Sequence, residues 1–140
     1  MRQVQLWTDQ GVIKCLPETK HQGRGRKRLY DQFELPIGAL VAVLARVQFT
    51  IGVLQGYADT VRNFLHERQP ASHYEEKRPR DWYRRAFRGQ VESWMVFIPE
   101  LVDGKLWFSW EDEQKIAELL KTRRACVLVN VKEVISPFVR

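Results

Sequence analysis

Arg24, Arg26, Lys27 and Arg28 crowd five positions of the chain, with Lys20 just upstream. Gly23 and Gly25 interrupt them, and Tyr30 follows. Guanidinium and ammonium groups at this density suit phosphate oxygens, by charge and by hydrogen bond. The bland alternative is a solvated basic loop. Gly23-Arg24-Gly25 is not a nucleotide-binding loop, because the third glycine, the preceding strand and the acidic partner are missing. Nearer the start, Arg2, Gln3 and Gln5 offer a second kind of chemistry. In the major groove Gln pairs with adenine and Arg with guanine. Tyr30 would pack its ring and donate its hydroxyl to a phosphate.

Other chemistry finds little support. Cys15 and Cys126 stand far apart in unlike contexts, too few for a disulfide framework. A thiolate metal site needs two or three such groups in one place. His21, His66 and His73 share no ligand spacing. No Ser or Cys has a nearby His, and no paired acids stand out. The expectation is a non-enzyme without cofactor or metal.

The elements that must position these residues follow from periodicity and punctuation. Residues 2–13 read as a short helix closed by Gly11, with Val4, Leu6 and Trp7 on its apolar side. Trp7 is better placed as core than against a phosphate. Residues 14–30 form a connection marked by Pro17, Gly23 and Gly25, with Lys27 to Tyr30 as the return strand of a small hairpin. Asp31 can cap a helix, with Glu34 as the capping-box acid. Leu35, Leu40, Val43, Leu44 and Val47 form its stripe. After a break at Phe49, Thr50 opens a helix to about Arg68 that carries Ile51, Leu54, Tyr57, Ala58, Val61, Phe64 and Leu65. Residues 69–80 read as a linker. A short helix then stops at Gly89. Strands at 93–98 and 105–110 flank the hairpin signal Asp103-Gly104. Ser109 with Asp112 opens a helix over 111–122, and ACVLVNVKEVI reads as a last strand. Trp94, Phe97, Trp107, Phe108 and Trp110 fit a small ββαβ core better than a pocket.

Taken in order, three motifs carry a family resemblance. "LWTDQGVI" supplies Trp7, Gly11, Val12 and Ile13; "GRGRKRLYDQFEL" supplies Gly25, Arg26, Arg28, Tyr30, Glu34 and Leu35; "VQFTIGVL" supplies Phe49, Thr50, Ile51 and Leu54. Residues 1–68 resemble the winged-helix DNA-binding domain of the MerR family of bacterial transcriptional regulators. The resemblance implies that the first motif ends the recognition helix and the second is the wing. It also implies a truncated unit, since the helix that precedes the recognition helix has no residues here. Gln5-Leu6-Trp7 stands where that family often has Arg-Tyr-Tyr, and Gln48 where it has Gly. A two-fold coiled coil follows this domain in the family, so a homodimer is implied.

The bulk numbers agree with a polyanionic partner. The net charge is +6. Residues 1–30 hold seven Lys/Arg against two Asp/Glu, residues 31–90 nine against seven, and residues 91–140 seven against eight. The excess therefore sits at the N-terminal end. The longest apolar run, 37–45, is less than half of a bilayer span of about 20 residues. Arg2 to Gln10 is too polar for a signal peptide. A cytoplasmic protein without membrane contact is expected.

The fold class is α+β: a truncated winged helix-turn-helix unit with two following helices over 1–68, a linker over 69–80, and a ββαβ module over 81–140. The expected function is transcriptional regulation by binding double-stranded DNA. The DNA-binding residues would be Arg2, Gln3, Gln5, Lys20, Arg24, Arg26, Lys27, Arg28 and Tyr30. A small-molecule or protein effector would act at the C-terminal module. The alternatives are a non-specific RNA- or nucleoid-binding protein, and an assembly or adaptor protein with an incomplete DNA-binding domain.

Overall fold

A computed structural model describes residues 2–20, 27–66, 80–102, 105–122 and 125–138. The fold is mixed α+β, with a helical N-terminal part and a C-terminal module built on a three-stranded antiparallel sheet. The chain divides into two compact units, Met1–Lys77 and Arg78–Arg140.

The N-terminal unit begins with α1, Arg2–Asp9. Gly11 ends it in the left-handed region, at φ 75°. The Gly11 amide donates to Thr8 O and the Val12 amide to Trp7 O at 2.8 Å. This pair of bonds is a Schellman cap, and glycine takes it without a Cβ penalty. The turn aims Val12 and Ile13 into the core beside Trp7. A single 3₁₀ turn, Pro17–Thr19, interrupts the connection that follows. Cys15 then bridges Tyr30 in antiparallel fashion, and the Leu16 amide donates to Leu29 O at 2.8 Å. The base of the expected hairpin is thus a single bridge, and Lys27 to Tyr30 do not form the expected return strand.

Two helices complete this unit, α2 over Glu34–Arg46 and α3 over Ile51–His66. On α2 the buried face is Ile37, Leu40, Val41 and Leu44. Two residues of the expected stripe fall outside it: Leu35 is 59% exposed and Val47 is 50% exposed. Leu35 lies off the 3- and 4-residue spacing that Ile37 and Val41 set, and Val47 is the C-cap, past the last turn of α2. On α3, Leu54, Tyr57, Ala58, Val61 and Leu65 are buried as the spacing predicts. Gln48, between the helices, holds φ 64°. Its amide donates to Ala45 O and the Phe49 amide to Leu44 O. A second Schellman cap thus forms on a residue that has a side chain.

The C-terminal unit opens with α4, Arg80–Phe87, capped through Gly89 at φ 68°. Then come β1, Trp94–Val102, and β2, Lys105–Glu111. They pair from Trp94↔Glu111 to Val102↔Lys105, with a shift between Ile98 and Leu101. Asp103-Gly104, the expected hairpin turn, lie outside the described residues; Val102 before them pairs with Lys105 after them. Next is α5, Glu113–Thr122. The Asp112 carboxylate accepts from the Lys115 amide and caps it. Ser109, also expected at this helix start, instead lies in β2 opposite Val96. The last strand, β3, covers only Val127–Asn130 and pairs with the other edge of β1.

The expected strand through Ile135 is therefore too long. Residues Val131–Ile135 form a short helix, α6. Asn130 causes the change: its side chain accepts from the Glu133 amide and starts a helix. Val131 and Ile135, one turn apart, are then both buried. The sheet order is β2-β1-β3, with both faces covered. Val96 and Ile98 pack with Ile116 of α5, while Trp94, Cys126 and Leu128 close that layer. By alternation Met95 and Phe97 occupy the other face. Phe97 stacks on Phe108 with centroids 5.6 Å apart, and Trp110 meets Phe87 of α4 edge-on.

Candidate nucleic-acid interface

Arg2, Gln3 and Gln5 are exposed along α1, whereas Trp7 and Thr8, in its last turn, are buried. The C-terminal half of the helix is thus anchored in the core. Val4 and Leu6 share the exposed surface, at 43% and 48%. Lys20 is exposed at the end of the 3₁₀ turn, and Lys27 is exposed on the return side of the hairpin. Arg24 and Arg26 lie outside the described residues.

Arg28 and Tyr30 play a different part from the one expected. Arg28 Nη2 donates to Asp9 Oδ1 at 2.8 Å, tying the segment before Tyr30 to the end of α1. This hydrogen bond, with the Asp9 charge, holds the guanidinium above its ordinary pKa. Arg28 is half-buried and aimed at a carboxylate in its own fold. Tyr30 is also half-buried, and its hydroxyl lies 3.0 Å from Thr8 Oγ1. Thr8 spends its only hydroxyl proton on Val4 O at 2.7 Å. Tyr30 is therefore the donor to Thr8, and its proton is committed to α1. Both residues brace the hairpin against the helix. A second brace lies within the loop, where Thr19 Oγ1 accepts from the Leu29 amide and donates to Leu16 O.

The same unit holds an ion-pair network, buried at Arg62 and Glu34 and exposed at Lys14 and Asp59, that sequence reasoning missed. Arg62 of α3 grips Glu34 of α2 with two bonds, Nε to Oε1 at 2.6 Å and Nη2 to Oε2 at 2.8 Å. The same Nη2 donates to Val12 O at 2.6 Å, and Nη1 reaches Asp59 at 2.8 Å. The Lys14 amide donates to Glu34 Oε2 at 2.9 Å, and its ammonium donates to Asp59 at 2.6 Å. Burial alone would lower the Arg62 pKa, but the bonds and charges of Glu34 and Asp59 more than offset it and hold it raised. The network locks the turn after α1 to both later helices. Glu34, expected as a capping-box acid, is instead 6% exposed and bound to Arg62. One signal was available: Arg62 falls one turn after Ala58 and directly beside Val61, on an otherwise apolar stripe. A charge at such a position requires a partner.

Cys15 and Cys126 carry free thiols and belong to different units. Among the described residues no group of His, Cys, Asp and Glu is placed to hold a metal ion. No described helix is long and apolar enough to cross a membrane. No protein-family model matches the chain, and neither does any curated protein.

Proposed function

We propose that the N-terminal unit binds double-stranded DNA and that the chain regulates transcription, in the manner the MerR resemblance implies. The observation that carries this reading is the bracing of a polar helix edge to a basic hairpin. Arg2, Gln3 and Gln5 stand exposed on α1, and the hairpin bearing Lys20 and Lys27 is fastened to that helix by Asp9–Arg28 and Thr8–Tyr30. A rigid helix presenting Gln and Arg suits base edges, and cations beside it suit the flanking phosphates. Preorganised groups lose little freedom on binding. A second copy of the chain would repeat the contact on a two-fold operator. The C-terminal unit would receive the effector or protein partner.

A second reading draws on Val4 and Leu6, whose exposure on α1 also fits a protein partner in an assembly. Selection of duplexes from a randomised pool, followed by anisotropy at two salt concentrations, separates the readings. A recovered sequence should survive unrelated competitor at both salts. Uniform loss to competitor points to non-specific binding, and no retention of any duplex overturns the DNA reading.

A further inference from the structure

The sheet of the C-terminal unit runs in the order β2-β1-β3, so β2 is an edge strand that β1 pairs on one side. The other edge is short: β3 spans 4 residues, and Asn130 then turns the chain into α6. β2 is longer, and its sequence KLWFSWE has neither Pro nor Gly. The shift in the pairing falls in β1, between Ile98 and Leu101, so β2 itself carries no bulge. Edge strands of monomers are commonly blunted by Pro, bulges or charges along their length. β2 keeps charges only at its ends, Lys105 and Glu111.

The direction of the backbone groups along β2 follows from β1. The Val131 amide donates to Ser93 O at 3.0 Å, and the register Trp94↔Asn130 puts these two residues opposite each other. Ser93 thus turns its carbonyl toward β3, and by alternation Met95 and Phe97 do the same. Trp94, Val96 and Ile98 then bond to β2, through Glu111, Ser109 and Trp107. The backbone groups of Leu106, Phe108 and Trp110 point the other way, to the outer edge. The rings of Phe108 and Trp110 are used within the fold: Phe108 stacks on Phe97, and Trp110, 3% exposed, meets Phe87. What the edge offers is therefore main chain.

From this geometry we infer that β2 pairs antiparallel with β2 of a second copy of the chain, joining two C-terminal units through one continuous sheet. A two-fold axis at Phe108 sets Phe108 opposite itself and Leu106 opposite Trp110 of the other copy. All three positions point outward, so each forms a hydrogen-bonded pair, about six bonds in all. The same axis sets Lys105 opposite Glu111 at both ends, because the two stand at equal distances from Phe108. A parallel pairing would set like charges together. The strand is thus complementary to itself, which selects a second copy over a strand of another protein. The inference does not rest on DNA binding.

The test uses the full chain and sedimentation equilibrium, without nucleic acid. The parent should be a dimer, and hydrogen exchange of the Trp110 amide, followed by NMR, should slow as concentration rises. Phe108→Pro removes an outward N–H, adds a ring to the edge and leaves the bonds to β1 in place, so dimer affinity should fall about a hundredfold. It also gives up the stack on Phe97, so charge reversal at the strand ends supplies a second test. Lys105→Glu alone and Glu111→Lys alone should each weaken the homodimer about tenfold. An equimolar mixture of the two variants should recover the parent affinity, since every end pair then joins unlike charges. A parent that stays monomeric overturns the inference and leaves the edge to a strand of another protein. A dimer that none of these variants weakens, or a mixture no tighter than the single variants, overturns it as well.

Discussion

Arg62 and Glu34, 28 positions apart, meet in a two-bond fork at 2.6 and 2.8 Å with both side chains buried. The pair joins α3 to α2, and through Val12 O and the Lys14 amide it holds the turn that follows α1. Removing one member strands the other charge in the interior. Arg62→Ala should therefore destabilise the N-terminal unit by about 3–5 kcal/mol. Glu34→Gln keeps the shape and should cost less than Arg62→Ala. Urea unfolding of the variants checks both values. A loss below 1 kcal/mol for Arg62→Ala would show that the pair is dispensable.

Tyr30 ties the hairpin to α1 through one hydrogen bond to Thr8. Tyr30→Phe keeps the ring and removes the donor. The expected loss of stability is about 1 kcal/mol. If bracing matters for function, DNA affinity should fall while the salt slope stays unchanged, because no phosphate contact is lost. A reduced slope would instead assign the Tyr30 hydroxyl to a phosphate.

Gln48 adopts φ 64°, a conformation that suits glycine. The left-handed region costs a residue with a Cβ about 1 kcal/mol or more. Glycine gives part of that gain back through its freer unfolded chain. Gln48→Gly should raise stability by about 0.5–1 kcal/mol, read as a higher urea midpoint at constant m-value. Gly11→Ala makes the reverse change at φ 75° and should lower stability.

Tyr57 is fully buried, and desolvation pushes its phenol well above the ordinary 10.0. The folded state therefore holds the neutral form after the unfolded chain has begun to ionise. The associated stability is fully present below the unfolded pKa and is lost as pH rises toward the folded value. The loss should run at up to about 1.4 kcal/mol per pH unit above pH 10. Tyr57→Phe should remove this contribution, so that the gap between variant and parent closes from pH 9 to pH 11. Unfolding curves at those pH values decide it, and a constant gap would contradict the assignment.

Much of the fold was legible because its causes are local. Gly11 and Gly89 end helices where the chain must turn left-handed. The three- and four-residue spacing along α3 selects the same buried face that the core uses. Asp103-Gly104 separates two strands that pair on either side of it. Asn130 could also have been read locally, as a cap with Glu133 three positions on. The β-branched run around it outweighed that signal.

What the sequence determined by itself was where helices and strands can exist and which end of the chain is basic. Those properties depend on neighbours within a few positions and on simple counting. Only the tertiary structure decided what each charge does. Glu34 turned from a helix cap into the buried partner of Arg62, and Arg28 turned toward Asp9. The physical reason is that an ion pair needs proximity in space, and two residues 28 positions apart become neighbours only when helices pack.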